Sequence, residues 1–235
     1  MESNRVAVLP QASFVSTRSR LWAVLELALA AAFIVLTKLH RIWRPDTMWL
    51  LALGWISLRV RKRGWGSVGL RRPESWGKVF LAALVAAVAL QAVSLWITVP
   101  LATRITGQPP DLSEFRQLIG HWKLALLGLA VTWTLAAFGE ELVHRGYLMN
   151  RMADVGNGSR VAWAVSYVVI SVAFGLGHLY QGPSGVMDAT VTGLVLGGLY
   201  LAFGRNLWPA ILAHGFSDTL ALVMVYCGFT PGVKI

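Results

Sequence analysis

The run Leu124–Phe138 holds no charge, and it leads straight into Gly139-Glu140-Glu141-Leu142-Val143-His144-Arg145. Fifteen apolar or small residues are close to what a helix needs to cross a bilayer. The next stretch then sets four ionisable side chains within six residues. The apolar pattern resumes at Leu142, Val143, Tyr147, Leu148 and Met152. The spacing therefore predicts one helix from about Trp122 to about Met152, with the acidic pair inside it. An ionisable group at membrane depth costs a few kcal/mol, so it is by default a sign of function. Residues four apart share a helix face. Glu141 lies over Arg145 and neutralises it; Glu140 lies over His144, about 100° round the helix. Glu140 is left as the acid with work still to do. Charges at a helix end more often mark a solvated terminus, so the rest of the chain has to decide.

Composition settles the class. The chain has 235 residues, 56% hydrophobic and 14% charged, with mean hydropathy +0.59. A soluble domain carries nearer a quarter charged residues. Long apolar runs recur at 21–36, 79–101, 123–152, 161–180, 186–203 and 207–227, and a short one at 48–58. These predict an all-α, polytopic transmembrane bundle of about seven spans, with a buried polar site between the fourth, fifth and seventh. The division expected is a tail at 1–20, motif-free helices and a basic loop at 21–122, a core at 123–227 and a tail at 228–235. Glu26 interrupts the first span, where it snorkels or pairs. The third span is expected to stop near Pro100, and Gln181–Gly185 to form a loop. Gly193-Leu194-Val195-Leu196-Gly197 is the small-residue spacing that lets helices pack closely. The net charge of +10 fits basic cytoplasmic loops. No aromatic-interleaved basic patch points to nucleic acid. The single Cys227 excludes an intrachain disulfide.

Orientation follows from lysine and arginine. With seven spans, the side holding the N-terminus carries 14 of these residues and the other side 7. The N-terminus is therefore expected to be cytoplasmic. The loop Arg59 to Lys78 alone supplies seven, with Trp65 and Trp76 suited to the headgroup layer.

Two further polar clusters fall within apolar spans: Phe174-Gly175-Leu176-Gly177-His178 and His214-Gly215-Phe216-Ser217-Asp218. Each alone has a plain reading, since a buried histidine often just bonds between helices. Depth discriminates. At ~1.5 Å per residue from the cytoplasmic side, Glu140 and Asp218 lie roughly 18 Å deep, His214 roughly 12 Å and His178 roughly 25 Å. Snorkelling would leave such groups at the edges. Carboxylates and imidazoles gathered at low dielectric can activate water and stabilise an oxyanion.

Glu140-Glu141 with Arg145 and Gly146, then Phe174 with His178, then His214 with a polar residue four on, resembles the intramembrane CAAX protease and bacteriocin-processing (CPBP, or Abi) family over about residues 123–225. The resemblance implies an intramembrane endopeptidase, and compact length with short loops points to a bacterial inner membrane. It would cut near the C-terminus of a membrane-associated peptide or lipidated protein, with or without a prenyl group. It implies catalytic roles for Glu140, His178, His214 and Asp218: Glu140 as base, His178 sharing its water, His214 on the oxyanion with Asp218 assisting. Glu141 and Arg145 would support them, Arg145 alternatively binding a substrate carboxylate, and Phe174 would pack. The family position of Asp218 is often Asn, and that of His144 more often aromatic or apolar. No cofactor is expected; the competing chemistry is a Zn²⁺ held by Glu140, His178 and His214. The competing class is a non-enzymatic protein, a proton-coupled transporter or a scaffold, using the same groups.

Overall fold

The computed structural model describes residues 17–40 and 46–235, so the predicted tail lies outside the described residues up to residue 16. Among the described residues there are no strands, and the long helices are α1 (Thr17–His40), α2 (Asp46–Val60), α3 (Trp76–Thr106), α4 (Trp122–Val155), α5 (Arg160–Gly177), α6 (Gly182–Ala202) and α7 (Trp208–Tyr226). All but α2 are long and apolar enough to cross a membrane. The seven-span reading is thus six full spans and one short helix. The 15 residues of α2 reach only about 22 Å.

Local chemistry explains the boundaries. Ser75 and Ser159 cap α3 and α5, each side-chain oxygen accepting the amide three residues on, which satisfies a donor the helix itself cannot. Pro100 does not stop α3. A wide i→i+5 turn at Ser94–Thr98 precedes it, and the helix runs on to Gly107, whose φ of 76° ends it. A shifted backbone register absorbs the amide that proline lacks. Nor is Gln181–Gly185 a loop: the turn is Leu179–Gln181, and α6 starts at Gly182 with Pro183 in its first turn, where proline costs nothing. The predicted fourth helix is observed, three residues longer, with wide turns at Thr132–Glu140 and Leu142–Leu148. Asn150 Nδ2 donates to the carbonyls of Arg145 and Gly146 there.

α5 and α6 form a close antiparallel pair, α7 packs on α3 and on α4 between Trp122 and Glu140, and α1 lies against the end of α4. The glycine spacing in α6 does what its pattern implies. A Cβ on Gly193 would sit 2.8 Å from the Ser171 carbonyl oxygen, and one on Gly197 2.9 Å from the Tyr167 ring. Gly193→Ala should therefore lower stability by about 1–3 kcal/mol. Gly198→Ala, which meets nothing nearer than 3.8 Å, should be neutral or slightly stabilising. Thermal melts of the two variants in detergent check this.

Glu26 pairs rather than snorkels. Its Oε2 accepts from Ser57 Oγ at 2.6 Å and Tyr147 OH at 3.0 Å, and lies 2.9 Å from Arg151 Nε. Arg151 is fully buried and also bonds Asp154. The basic loop is not loose. Leu207 N donates to Gly69 O, Tyr200 OH to Val68 O and Asn206 Nδ2 to Arg71 O, and Trp76 stacks edge-on against Trp208. The loop is tied over the turn between α6 and α7. At the other end, Lys234 bonds Asp111 at 2.6 Å. Lys234 and Ser113 hold that carboxyl well below the usual carboxylate range.

Candidate active site

Glu140, His178, His214 and Asp218 all line one cavity of about 780 Å³ in the interior of the bundle. Five helices build its wall. Gln91, Ser94 and Leu95 come from α3, Leu127, Val131 and Glu140 from α4, Phe174 and His178 from the end of α5, Asp188 from α6, and His214 and Asp218 from α7. Most of the lining is apolar, and no lysine or arginine is among the described residues that form it. Among the described residues none hydrogen-bonds the Glu140 carboxylate, so water and substrate are its available partners.

Glu141 points away from this cavity and is fully buried. Its Oε1 accepts from Arg145 Nη1 at 2.7 Å and lies 2.9 Å from His214 Nδ1. Arg145 is also fully buried and donates Nη2 to the Gly193 carbonyl at 2.8 Å. Its guanidinium lies 4.7 Å above the Phe174 ring centroid. Burial of this kind is tolerable only when the charges are paired and bonded. The sequence expectation that Arg145 could reach a substrate carboxylate does not hold: it has no exposed surface and is outside the cavity wall. Phe174 packs, as expected, but as a hub, with the rings of His144, His178 and His214 at 5.1, 5.0 and 5.8 Å.

Hydrogen-bond partners fix the imidazole protons. His178 Nδ1 lies 3.0 Å from the Phe174 carbonyl and His144 Nδ1 2.9 Å from the Glu140 carbonyl. A carbonyl only accepts, so each Nδ1 carries the proton, and the neutral ring keeps its lone pair on Nε2. His214 is different. Its Nδ1 faces Glu141, and its Nε2 lies 3.4 Å from Asp218 Oδ2. Both contacts are attractive together only when both nitrogens carry protons. The Asp218 contact is long enough to be surrendered to another acceptor.

Those donors can be tested against a metal. Among the described residues, no three His, Cys, Asp or Glu side chains are grouped to hold an ion. His214 has both nitrogens turned to carboxylates. The arrangement fits proton transfer better than coordination.

Three contributors escaped the sequence reading. Asp188 accepts from Ser94 and Thr98 on the wide turn of α3. Gln91 donates to Ser217. Tyr180 stacks on His178 at 5.8 Å. Asp188 was findable, as the sole acidic residue between Asp154 and Asp218.

Fold and cavity define a multi-pass membrane protein with a polar site enclosed among apolar helices. Residues 122–220 match the family described as type II CAAX prenyl endopeptidase Rce1-like. The matched stretch runs from the start of α4 into α7 and contains Glu140, Glu141, Arg145, Phe174, His178, His214 and Asp218. The CPBP resemblance carried by those motifs is therefore shown over this part of the chain, and it supports a CAAX-type intramembrane peptidase. No curated protein and no solved structure matches the chain.

Proposed function

We propose that this protein is a metal-free glutamate-type endopeptidase that cuts membrane-associated peptides or lipidated proteins near their C-termini. The observation that carries the reading is the sharing of one deep, mostly apolar cavity by Glu140, His178, His214 and Asp218. Water is held between the Glu140 carboxylate and the imidazole of His178. Glu140 takes a proton from it as the oxygen attacks the scissile carbonyl. The developing oxyanion is met by the doubly protonated His214, whose long contact with Asp218 is given up at little cost. Asp218 and Glu141 hold the imidazolium charge and orientation. The proton on Glu140 then passes to the departing amine as the carbon–nitrogen bond breaks. The apolar wall takes the hydrophobic flank or lipid chain of the substrate.

The test is cleavage of a panel of membrane-reconstituted lipidated and unlipidated peptides before and after exhaustive chelation, with metal analysis of the protein. Full activity without stoichiometric metal is expected. Loss of activity that Zn²⁺ restores would sink the metal-free route. Complete inactivity of the wild type across the panel, with a transport or partner phenotype instead, would move the protein to the non-enzymatic class.

A further inference from the structure

We propose that the groove at the end of α2 is a binding site for the phosphate headgroup of an anionic phospholipid. The site is independent of the peptidase reading. Its residues, 55–65, lie outside the matched stretch 122–220, and none of them lines the central cavity.

The spacing prepares the groove. Trp55, Arg59, Lys62 and Arg63 recur every three or four residues, so they share one face of α2 and its closing turn. With Trp65 they line a groove of about 600 Å³, within the ~300–1,000 Å³ usual for small-molecule sites. The Arg59 guanidinium stands 5.4 Å from the Trp55 ring centroid, an attraction that steadies it. All three cations are exposed, and among the described residues no carboxylate pairs with them. No acidic residue is among the described residues that line the groove.

The backbone supplies a second sign. Lys62 has φ 55°, the left-handed conformation that crowds a Cβ and is usually left to glycine at helix ends. Its amide donates to the Arg59 carbonyl and that of Arg63 to the Leu58 carbonyl. That double closure puts the left-handed residue just beyond the helix cap. Glycine would close the helix equally well, yet a lysine stands there. Strain kept at an exposed turn points to a function. The opposite wall is firm. Trp65 packs on the buried core and fits over Gly54, where a Cβ would come within 3.1 Å of its ring. Val68 and Gly69, just beyond, accept from Tyr200 and Leu207. The groove is formed before a ligand arrives, which lowers the cost of binding.

The chemistry selects the ligand. Two guanidiniums and an ammonium without a counter-charge suit a phosphate, which arginine holds through paired N–H bonds. A lipid phosphate fits better than a free one. Tryptophans mark the headgroup layer. Ile56 and Val60, next to Trp55 and Arg59 in the chain, expose apolar side chains on which acyl chains can lie. A zwitterionic headgroup would bring its own cation to a groove that offers it no carboxylate.

Native mass spectrometry of the full chain in detergent tests the site, with phosphatidylglycerol, phosphatidylcholine and inorganic phosphate as separate probes. Phosphatidylglycerol should bind saturably, the other two at least about tenfold more weakly. Arg59→Gln with Arg63→Gln should weaken phosphatidylglycerol by about tenfold or more. Arg72→Gln with Lys78→Gln, the same change of charge outside the groove, should leave it unaltered. Lys62→Gly should also weaken the lipid while the lipid-free melting temperature holds or rises, because glycine relieves the backbone. That variant carries the test should the arginine pair fail to fold. Equal losses in the two double variants would reduce the site to diffuse charge. Equal binding of phosphatidylcholine would reduce it to an apolar surface, and tight inorganic phosphate that displaces the lipid would make free phosphate the ligand. Each of these overturns the proposal, as does undiminished lipid binding by Lys62→Gly. None of the readouts needs turnover, so an inactive protein would leave the site standing.

Discussion

Replacing Glu140 with glutamine should lower kcat/KM by about 10³-fold, the scale of a lost general base, and leave the melting temperature unchanged or raised. The glutamine keeps the shape and the carbonyl oxygen but cannot take the proton. The fold should not notice, because among the described residues none bonds that carboxylate. Removing an unpaired charge from a low-dielectric wall relieves desolvation rather than creating it. Parallel measurement of peptide cleavage in proteoliposomes and of thermal unfolding decides the point. A variant retaining a substantial part of wild-type cleavage would take the base role away from Glu140. A variant that loses both activity and melting temperature would recast it as a structural residue.

The second large effect belongs to stability. Arg145→Leu should cost about 3–5 kcal/mol, the range for breaking a buried ion pair from one side. Three contacts vanish together: the ion pair to Glu141, the bond to the Gly193 carbonyl and the stacking over Phe174. Glu141 is then left charged, fully buried, and attached only to His214. The double variant Arg145→Leu with Glu141→Gln should recover part of the loss, since it removes the orphaned charge. Denaturation in detergent measures both. A single variant costing less than about 1 kcal/mol would match an exposed pair instead. Activity separates the pair from Glu140: Glu141→Gln should weaken the hold on His214 and lower kcat with little change in KM.

Much of this was legible in the chain. Glu141 and Arg145 are four apart on a helix, and they pair as that spacing requires. Glu140, His178, His214 and Asp218 sit in apolar stretches, and all four face the same hollow. What side-chain periodicity cannot carry is backbone register. The wide turns in α3 and α4 leave the hydrophobic pattern almost intact, so Pro100 read as a stop and α4 as regular. The shortness of α2 was visible, although not where its neighbours would hold it. Phe174 looked like an ordinary apolar residue because its importance lies in what surrounds it, an arginine from α4 and histidines from α4, α5 and α7. His178 is four residues on, but Arg145, His144 and His214 are 29, 30 and 40 residues away, beyond any local pattern.

The wide turns of α4 make the helix tolerant of a change in length. An i→i+5 turn holds one residue more than an ordinary α-turn. Dropping a residue between Thr132 and Glu140 would let that segment relax into regular helix and keep the bundle's connectivity. It would also leave the acid close to its present facing, because the residue removed is the one the wide turn had absorbed. Homologues that differ here by a single gap would then present their carboxylate to the same neighbours, although the residue count from the start of the helix had changed.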